Sequence, residues 1–202
     1  MSEWVTNTLK QLTDIRVSNV DKHIRLDESA IKLCNYMDVY SNLYINDRID
    51  FQIGSVNNAE YGRFCLQKGD VLITKDSETP EDIAVSAVVE EDIESLVCGY
   101  HLAILRPKTD RIDGFYLMHF LRLPKTNKHF LRVANGSTRY GLVIGDIEIT
   151  EIHFPSDIDE QRKIASILRI VDKVIEKAEA AIDKYQAIKA GMMQDLFTRG
   201  ID

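Results

Sequence analysis

The sequence lacks the short motifs that mark most enzyme families. Its 202 residues contain no GxxxxGK[ST] phosphate loop, no GxGxxG, no GxSxG and no HExxH. The Asn/Asp-Pro-Pro-aromatic motif of amino-methyltransferases is also missing, and the five histidines are scattered. We therefore expect a non-catalytic protein that needs no cofactor and no metal. A catalytic constellation assembled from distant residues stays open at this point.

Cysteines and long apolar runs are also scarce. Cys34, Cys65 and Cys98 lie about thirty residues apart and form no CxxC pair, which indicates packed free thiols in a reducing compartment. The first residues, MSEWVTNTLKQ, contain no apolar signal core, and no run reaches the ~18 apolar residues of a membrane span. We expect a soluble, cytoplasmic protein without a membrane partner.

Charge is unevenly distributed along the chain. The net charge of -7 argues against nucleic-acid binding by the chain as a whole. Between residues 75 and 94, however, eight acidic residues face one lysine, and between 106 and 139 eight Lys and Arg residues face two aspartates. The basic stretch predicts a phosphate-facing patch on an acidic protein. The alternative is an ordinary solvated surface of mixed charge.

Residues 1–155 have the pattern of a mixed α/β (α+β) domain. We predict a strand near Ile31–Cys34, a strand–turn–strand unit across residues 64–77 with its turn at Gly69-Asp70, and β-rich runs at 82–91 and 96–107. Helical spacing follows in two pieces divided by Pro124, and then an alternating segment that ends at Pro155. Strands interleaved with helices favour this fold class over a helix bundle.

Residues 156–202 predict one long helix. Ser156 or Asp157 can cap its start, and Gly200 stands where a helix stop belongs. Steps of 4 and 3 residues connect ten positions, of which only Lys189 is not apolar or aromatic. This heptad spacing, over roughly 50 Å, indicates pairing with a second helix, although a helix folded back on its own domain is an alternative. The predicted dimerisation residues are Ile164, Leu168, Val171, Ile175, Ala178, Ile182, Tyr185, Met192 and Leu196.

Several of these segments resemble a known family. Pro155, the run Glu160-Gln161-Arg162-Lys163, and residues 193–198 (MQDLFT) are similar to the conserved helical region of type I restriction–modification specificity subunits. Residues 33–40 (LCNYMDVY), 66–76 (LQKGDVLITKD) and 98–102 (CGYHL) resemble the target-recognition domain of that family, in the same order. The resemblance covers nearly the whole chain.

The resemblance implies a DNA-recognition subunit that catalyses nothing itself. Family members usually carry two recognition domains and two such helices, whereas this chain has one of each and resembles a half-length subunit. The implied roles are a target-recognition domain at 1–155 and, at 156–202, a helix for dimerisation, spacing and methyltransferase-subunit docking. An antiparallel coiled coil with a second copy would make a C2 homodimer that reads a bipartite inverted repeat. The implied partners are double-stranded DNA, the adenine methyltransferase (M) subunit and the endonuclease/translocase (R) subunit.

Candidate DNA-binding residues come from the basic stretch and from polar loops. Base edges are read by side-chain hydrogen bonds in the major groove, while Lys and Arg on phosphates fix the register. Asn35 and Tyr36 belong to a motif shared with the family, and we place them in the core or at a hinge. The predicted DNA-binding residues are Lys75, Ser77, Thr79, Lys108, Arg111, Lys125, Lys128, Arg132, Ser137, Thr138, Arg139 and Tyr140.

Three other interpretations remain. The chain could be an inactive or regulatory half-subunit that competes or recombines with a full-length specificity subunit. It could be a coiled-coil interaction protein that does not bind DNA. It could also be a nuclease or methyltransferase without a recognisable motif, which would show metal or cofactor dependence.

Overall fold

The computed structural model describes residues 3–136 and 138–201. The chain divides into two compact units, Met1–Arg162 and Lys163–Asp202. The predicted functional division at residue 155 stays a prediction, because a compact unit does not by itself reveal a role. None of the helices in the described residues combines the length and the apolar character that crossing a membrane requires.

Strands and helices alternate along the first unit, which confirms the mixed α/β class. The strands are β1 Trp4–Thr8, β2 Thr13–Val17, β3 Ser29–Cys34, β4 Tyr44–Ile45, β5 Gln52–Val56, β6 Val71–Thr74, β7 Asp76–Ser77, β8 Ser86–Val89, β9 Leu96–Cys98, β10 Leu102–Pro107, β11 Tyr140–Gly141 and β12 Glu151–Pro155. The helices are α1 Leu9–Leu12, α2 Tyr36–Ser41, α3 Asn58–Phe64, α4 Gly114–Leu121, α5 Pro124–Val133, α6 Ile144–Glu148 and α7 Ile158–Arg199, with a 3-10 turn at Pro80–Asp82.

A five-stranded sheet forms the centre of the first unit, in the order β2-β10-β6-β8-β4. β10 is antiparallel to both β2 and β6, with Leu102 opposite Thr74 and Leu105 opposite Val71. Every residue of β6 and β8 is buried, as expected for strands covered on both faces. Because both faces of these strands are covered, their segments of the sequence do not alternate between apolar and polar residues.

A three-stranded sheet, β5-β3-β9, shares the core with the central sheet. Ile31 and Leu33 of β3 point into a buried apolar cluster that also includes Leu72 and Ile104 of the central sheet. Cys34 and Cys98 lie side by side on the parallel strands β3 and β9 and are fully buried, while Cys65 is half-buried. The three cysteines are free thiols, as predicted.

A buried ion pair fixes the turn that precedes β6. The guanidinium of Arg106 donates to both carboxylate oxygens of Asp70, at 2.8 and 2.7 Å, and to the carbonyl oxygen of Cys65 at 2.8 Å. Asp70 is 2% exposed. Arg106, although part of the basic stretch, is therefore occupied inside the fold.

Two sequence-based element assignments were wrong in part, and a third was coarser than the structure. Phe64 ends α3 and does not lie in a strand, although the turn at Gly69 (φ +87°) and the following β6 are as predicted. The apolar run 96–107 forms two strands in two different sheets, and the alternating segment 140–155 contains α6. Short apolar runs are compatible with either period, and here tertiary packing decided between them.

The long helix α7 begins and ends as predicted. Asp157 lies just before its first residue, and the Asp157 carboxylate accepts a hydrogen bond from the backbone N–H of Asp159 at 2.9 Å. Gly200, with φ +82°, follows its last residue. Ile164 is half-buried, and the other apolar residues of the predicted dimerisation set are exposed. Pairing of α7 with a second helix stays a prediction.

Candidate nucleic-acid interface

Helix α5 carries the main exposed basic surface of the first unit. Phe130 is fully buried and Thr126 is 7% exposed, so this face packs into the core. Lys125, Lys128 and Arg132 are exposed on the other side. Their i, i+3, i+7 spacing places them in one stripe about 10 Å long. Within the described residues, none of the three cations has an ion-pair partner.

The start and the end of α5 are fixed by main-chain geometry. Pro124 occupies the first turn, where a missing N–H has no cost. The backbone N–H of Asn127 donates to the Leu123 carbonyl at 3.0 Å, and that of Ala134 donates to the Phe130 carbonyl at 2.9 Å. The helix axis, and with it the direction of the basic stripe, is therefore set by the fold.

A closed loop follows α5 and carries further candidates. Asn135 and Gly141 exchange two backbone hydrogen bonds, at 3.0 and 2.9 Å, which closes the loop. Gly136 has φ +133°, and a Cβ added there would lie 1.9 Å from the Arg139 carbonyl oxygen. Gly136 thus makes a tight turn in this loop, and Thr138 and Arg139 are exposed beside it. The predicted Ser137 lies outside the described residues.

This loop is joined to the segment that follows β6. β11 pairs with β7, so that Tyr140 lies opposite Ser77 and Gly141 lies opposite Asp76. The structure therefore brings together two groups of predicted residues that are about sixty positions apart in the sequence. These are Ser77, Thr79, Arg139 and Tyr140, with α5 leading into the same loop.

The ammonium group of Lys75 is already occupied. Its Nζ lies 2.6 Å from the Asp76 carboxylate, which also contacts Nδ1 of His101 at 3.0 Å. Burial alone would raise the pKa of Asp76, but the hydrogen bonds from Lys75 and His101 prevail and hold that pKa below its usual value. His101 has φ +72° at the β9–β10 turn. Lys75 is thus part of an internal network, and its contact with a phosphate stays a prediction.

Ser77 and Thr79 are also held in local contacts. Ser77 is 6% exposed, and its hydroxyl oxygen accepts the backbone N–H of Thr79 at 3.2 Å. The hydroxyl of Thr79 is exposed and donates to Asp82 at 2.6 Å. Of these two predicted DNA-binding residues, Thr79 is the more accessible.

Lys108 and Arg111 lie away from this group. They follow the end of β10, whereas Lys75 and His101 lie beside its start. Six residues of strand separate the two ends by about 20 Å. The Lys108 ammonium donates to the backbone carbonyls of Lys10 and Gln11, at 3.3 and 3.0 Å. The structure therefore splits the predicted DNA-binding residues into two groups at opposite ends of the central sheet.

Three exposed side chains that follow β3 and β9 were not among the predicted DNA-binding residues. Met37, Tyr40 and Tyr100 are 59%, 42% and 52% exposed. A hydrogen bond to Asp82 raises the pKa of Tyr40 and connects α2 to the 3-10 turn. All three lie in the segments 33–40 and 98–102, whose resemblance to the family was the sequence signal for them.

Asn35 and Tyr36 have the supporting contacts expected at a core or hinge position. The backbone N–H of Asn35 donates to Asp38 at 2.7 Å at the start of α2, and the Asn35 side chain donates to Gln52 at 3.1 Å. Tyr36 stacks on Tyr40 at 5.8 Å between ring centroids, and its hydroxyl lies 3.5 Å from the Ser77 hydroxyl. Their functional role stays a prediction.

Chemically, the surface combines free cations with an exposed polar loop. Such an arrangement can contact a polyanion through α5 and Arg139 and can offer hydrogen bonds from the adjoining loop. The net charge of -7 makes this surface a local exception on the protein. Localised positive charge of this kind is typical of phosphate contact.

Comparison with known proteins gives evidence on the family of this chain. A chain assigned as the specificity subunit of type I restriction enzyme MjaX from Methanocaldococcus jannaschii is 28% identical over 200 residues, 98% of this chain and 46% of its own length. The MjaVIII specificity subunit of the same organism is 25% identical over 193 residues, 93% of this chain and 42% of its own length. The chain thus spans about half the length of these curated relatives.

Solved structures share the fold. A type I restriction–modification S subunit from M. genitalium superposes with a TM-score of 0.62 at 15% identity, over 98% of this chain and 46% of its own. At this identity the similarity supports the fold alone. The sequence model described as the type I restriction modification DNA specificity domain matches residues 1–184. Since that match includes most of the chain, the protein belongs to the type I restriction modification DNA specificity domain family.

Proposed function

We propose that this chain selects the DNA target of a type I restriction–modification complex, with its first unit reading one half-site in the major groove. The observation that carries the proposal is the stripe of exposed cations on α5, next to the loop that Asn135 and Gly141 close; these cations have no ion-pair partner among residues 3–136 and 138–201. Lys125, Lys128 and Arg132 contact phosphates and set the register. Thr79, Thr138 and Tyr140, in the adjoining loop and in the segment joined to it, contact base edges.

The long helix α7 joins two copies and holds the methyltransferase subunit. The heptad residues of α7 form a stripe that one partner helix can cover, which fits an antiparallel homodimer. A second row of apolar residues borders this stripe on one side and makes the apolar surface wider than a pair of helices requires. This row is Ile167, Val174, Ala181 and Ile188. A three-position apolar face is typical of helices in larger bundles. We assign this second row, the flank stripe, to helices of the methyltransferase subunit, through which the endonuclease subunit joins.

Two copies related by a two-fold axis present the same reading surface twice. The expected target is therefore an inverted repeat with a fixed gap, and the length of α7 determines the gap. The chain has an acidic balance, so isolated binding should be weak and sensitive to salt. The methyltransferase subunit supplies the rest of the attraction to DNA.

Mapping of methylated adenine tests the proposal directly. The chain is co-expressed with its cognate modification subunit, and the cellular DNA is sequenced for modified bases. One inverted-repeat motif with a fixed gap is the expected result. A motif with two unrelated halves would contradict the homodimer. Co-purification of the two proteins without new methylation would favour the competing half-subunit.

Charge reversal on α5 separates DNA contact from assembly. The triple variant Lys125→Glu, Lys128→Glu, Arg132→Glu should lower the slope of log Kd against log salt by about 2–3 for the purified complex. Lys22→Glu, Lys32→Glu, Arg48→Glu changes the net charge equally at other exposed sites of the first unit and is the matched control. Equal effects of the two triple variants would exclude α5 as the DNA-facing helix.

A further inference from the structure

The exposed apolar surface of α7 has a defined inner and outer part. Heptad positions a and d form the inner seam, where d includes Ile164, Val171, Ala178 and Tyr185 and a includes Leu168 and Ile175. Position g carries the flank stripe. Position e, on the opposite side of the seam, carries Asp172 and Glu179. The surface is therefore apolar on one border and acidic on the other, which limits how two copies can pair.

We propose that α7 pairs antiparallel with a second copy in one register, with the residue at position n opposite position 360 − n of the partner subunit. This inference rests on the antiparallel homodimer proposed above and adds its register and the place of its two-fold axis, beside Ala180. The occupant of the seam is a second copy of this chain, and the flank stripe stays open beside it.

Layer matching supports this register. In an antiparallel coiled coil, a core residue at heptad position a packs against a residue at position d of the partner helix. When residue n lies opposite residue 360 − n, every a residue of the seam meets a d residue in this way. The small Ala178 meets Ile182 of the partner subunit next to the axis, and Ile175 meets Tyr185 of the partner subunit. All ten seam positions are used, and the full layer set is Ile164–Leu196, Leu168–Met192, Val171–Lys189, Ile175–Tyr185 and Ala178–Ile182.

Charge complementarity explains the one polar seam residue. Lys189 occupies an a position, and a positions border the e side of the pair. In the proposed register Lys189 faces Val171 of the partner subunit, and the neighbouring e residue is Asp172 of the partner subunit. Two such Lys–Asp pairs form, one on each side of the axis. A single charged seam residue that finds its partner in only some alignments is a register device.

Shifting the pair by one heptad is less favourable in either direction. One shift places Lys189 beside Ala165 of the partner subunit, where it has no counter-charge. The opposite shift leaves Ile164 and Leu168 with no apolar seam residue of the partner helix opposite them, although Lys189 then approaches Glu179 of the partner subunit. Parallel pairing would place Lys189 against Lys189 of the partner subunit inside the seam. The antiparallel register alone combines full layers with a paired lysine.

Site-directed cross-linking tests the geometry on the full chain. In a Cys65→Ser background, where the remaining Cys34 and Cys98 are buried, Ala181→Cys places two thiols near the two-fold axis, with an offset of about 3 Å along the helix direction. A short bifunctional maleimide should join these two copies into a covalent dimer. Ala180→Cys, on the outer side of α7, is the matched control and should remain unlinked. Efficient linking through Val171→Cys instead would show a parallel pair and overturn the proposal, because the two copies of this residue lie about 27 Å apart along the helices in the antiparallel register.

A charge-swap cycle distinguishes the registers. Lys189→Asp and Asp172→Lys should each raise the dimer Kd by about five- to tenfold, and the double variant should restore it. Lys184→Asp, away from the seam, should change little. Restoration by Glu179→Lys in place of Asp172→Lys would establish the register shifted by one heptad. A monomer in light scattering would reject the homodimer itself, whereas a dimer linked elsewhere would reject only the register.

Discussion

The side-chain oxygen of Gln161 accepts a hydrogen bond from the backbone N–H of Asp113 at 2.9 Å. Its amide nitrogen donates to the carbonyls of Pro155 and Arg111, at 2.8 and 3.1 Å, and the side chain is fully buried. Asp113 in turn accepts the N–H of Tyr116 at 3.0 Å and caps α4. Gln161, from the Glu-Gln motif, therefore holds the first turns of α7 and α4 together.

Replacement of Gln161 should destabilise the first unit strongly. Gln161→Ala leaves the buried carbonyl of Pro155 and two part-buried main-chain groups without partners, which costs about 2–3 kcal/mol of unfolding free energy. Chemical denaturation followed by circular dichroism measures this loss. Gln186→Ala, an exposed position of α7, is the control and should stay within about 0.5 kcal/mol of wild type. Equal stability of the two variants would contradict the role of Gln161.

The Asp76 network predicts a pH-dependent contribution to stability. The pKa of Asp76 is lowered in the folded state, so its contribution is fully present above the unfolded pKa, about 4, and is lost as pH falls through the folded value. Asp76→Asn should cost about 1.5–3 kcal/mol near neutral pH, and the difference from wild type should shrink in acid. Urea unfolding at several pH values measures it.

The exposed Asp50→Asn variant is the control for that series and should follow wild type at every pH. His101→Gln should reproduce part of the Asp76→Asn effect, because His101 contacts the same carboxylate at 3.0 Å. If the penalty of Asp76→Asn were constant down to strongly acidic pH, a packing defect rather than the ionised carboxylate would be responsible.

Gly136 should be required for target binding more than for folding. Gly136→Ala forces a Cβ to within 1.9 Å of the Arg139 carbonyl and strains a φ of +133°, so loop 135–141 must rearrange. We expect methylation in cells to fall several-fold while the unfolding transition shifts only slightly. Gly145→Ala, where no atom lies within 4 Å of the added Cβ, is the matched control. Unchanged methylation in Gly136→Ala would exclude the loop from recognition.

The sequence predicted the continuous elements better than the assembled site. α7, the break at Pro124 and the strand at β6 follow from periodicity and from proline chemistry. The pairing of β7 with β11 and the neutralisation of Lys75 could not be predicted, because both depend on contacts between distant segments. For the same reason Lys108 and Arg111, close to Lys125 in sequence, lie in a separate group.

Glu179 gives the final prediction, because the proposed dimer places it beside Glu179 of the partner subunit. Both residues occupy position e, one residue from the two-fold axis, so the two carboxylates are offset by only about 3 Å along the helix direction. Like charges at such a border weaken a coiled coil. Glu179→Gln should therefore tighten the dimer about two- to fivefold at low salt, as measured by sedimentation equilibrium.

The salt dependence of that change identifies its cause. The advantage of Glu179→Gln should decline as salt rises toward 1 M, where the screening length is about 3 Å. Glu176→Gln removes an equal charge from the outer side of α7 and should leave the dimer Kd near wild type. In a parallel pair Glu179 would face Val174 of the partner subunit, and its replacement would then behave like the control. The comparison of the two glutamates therefore tests the orientation of the helices without any cross-link.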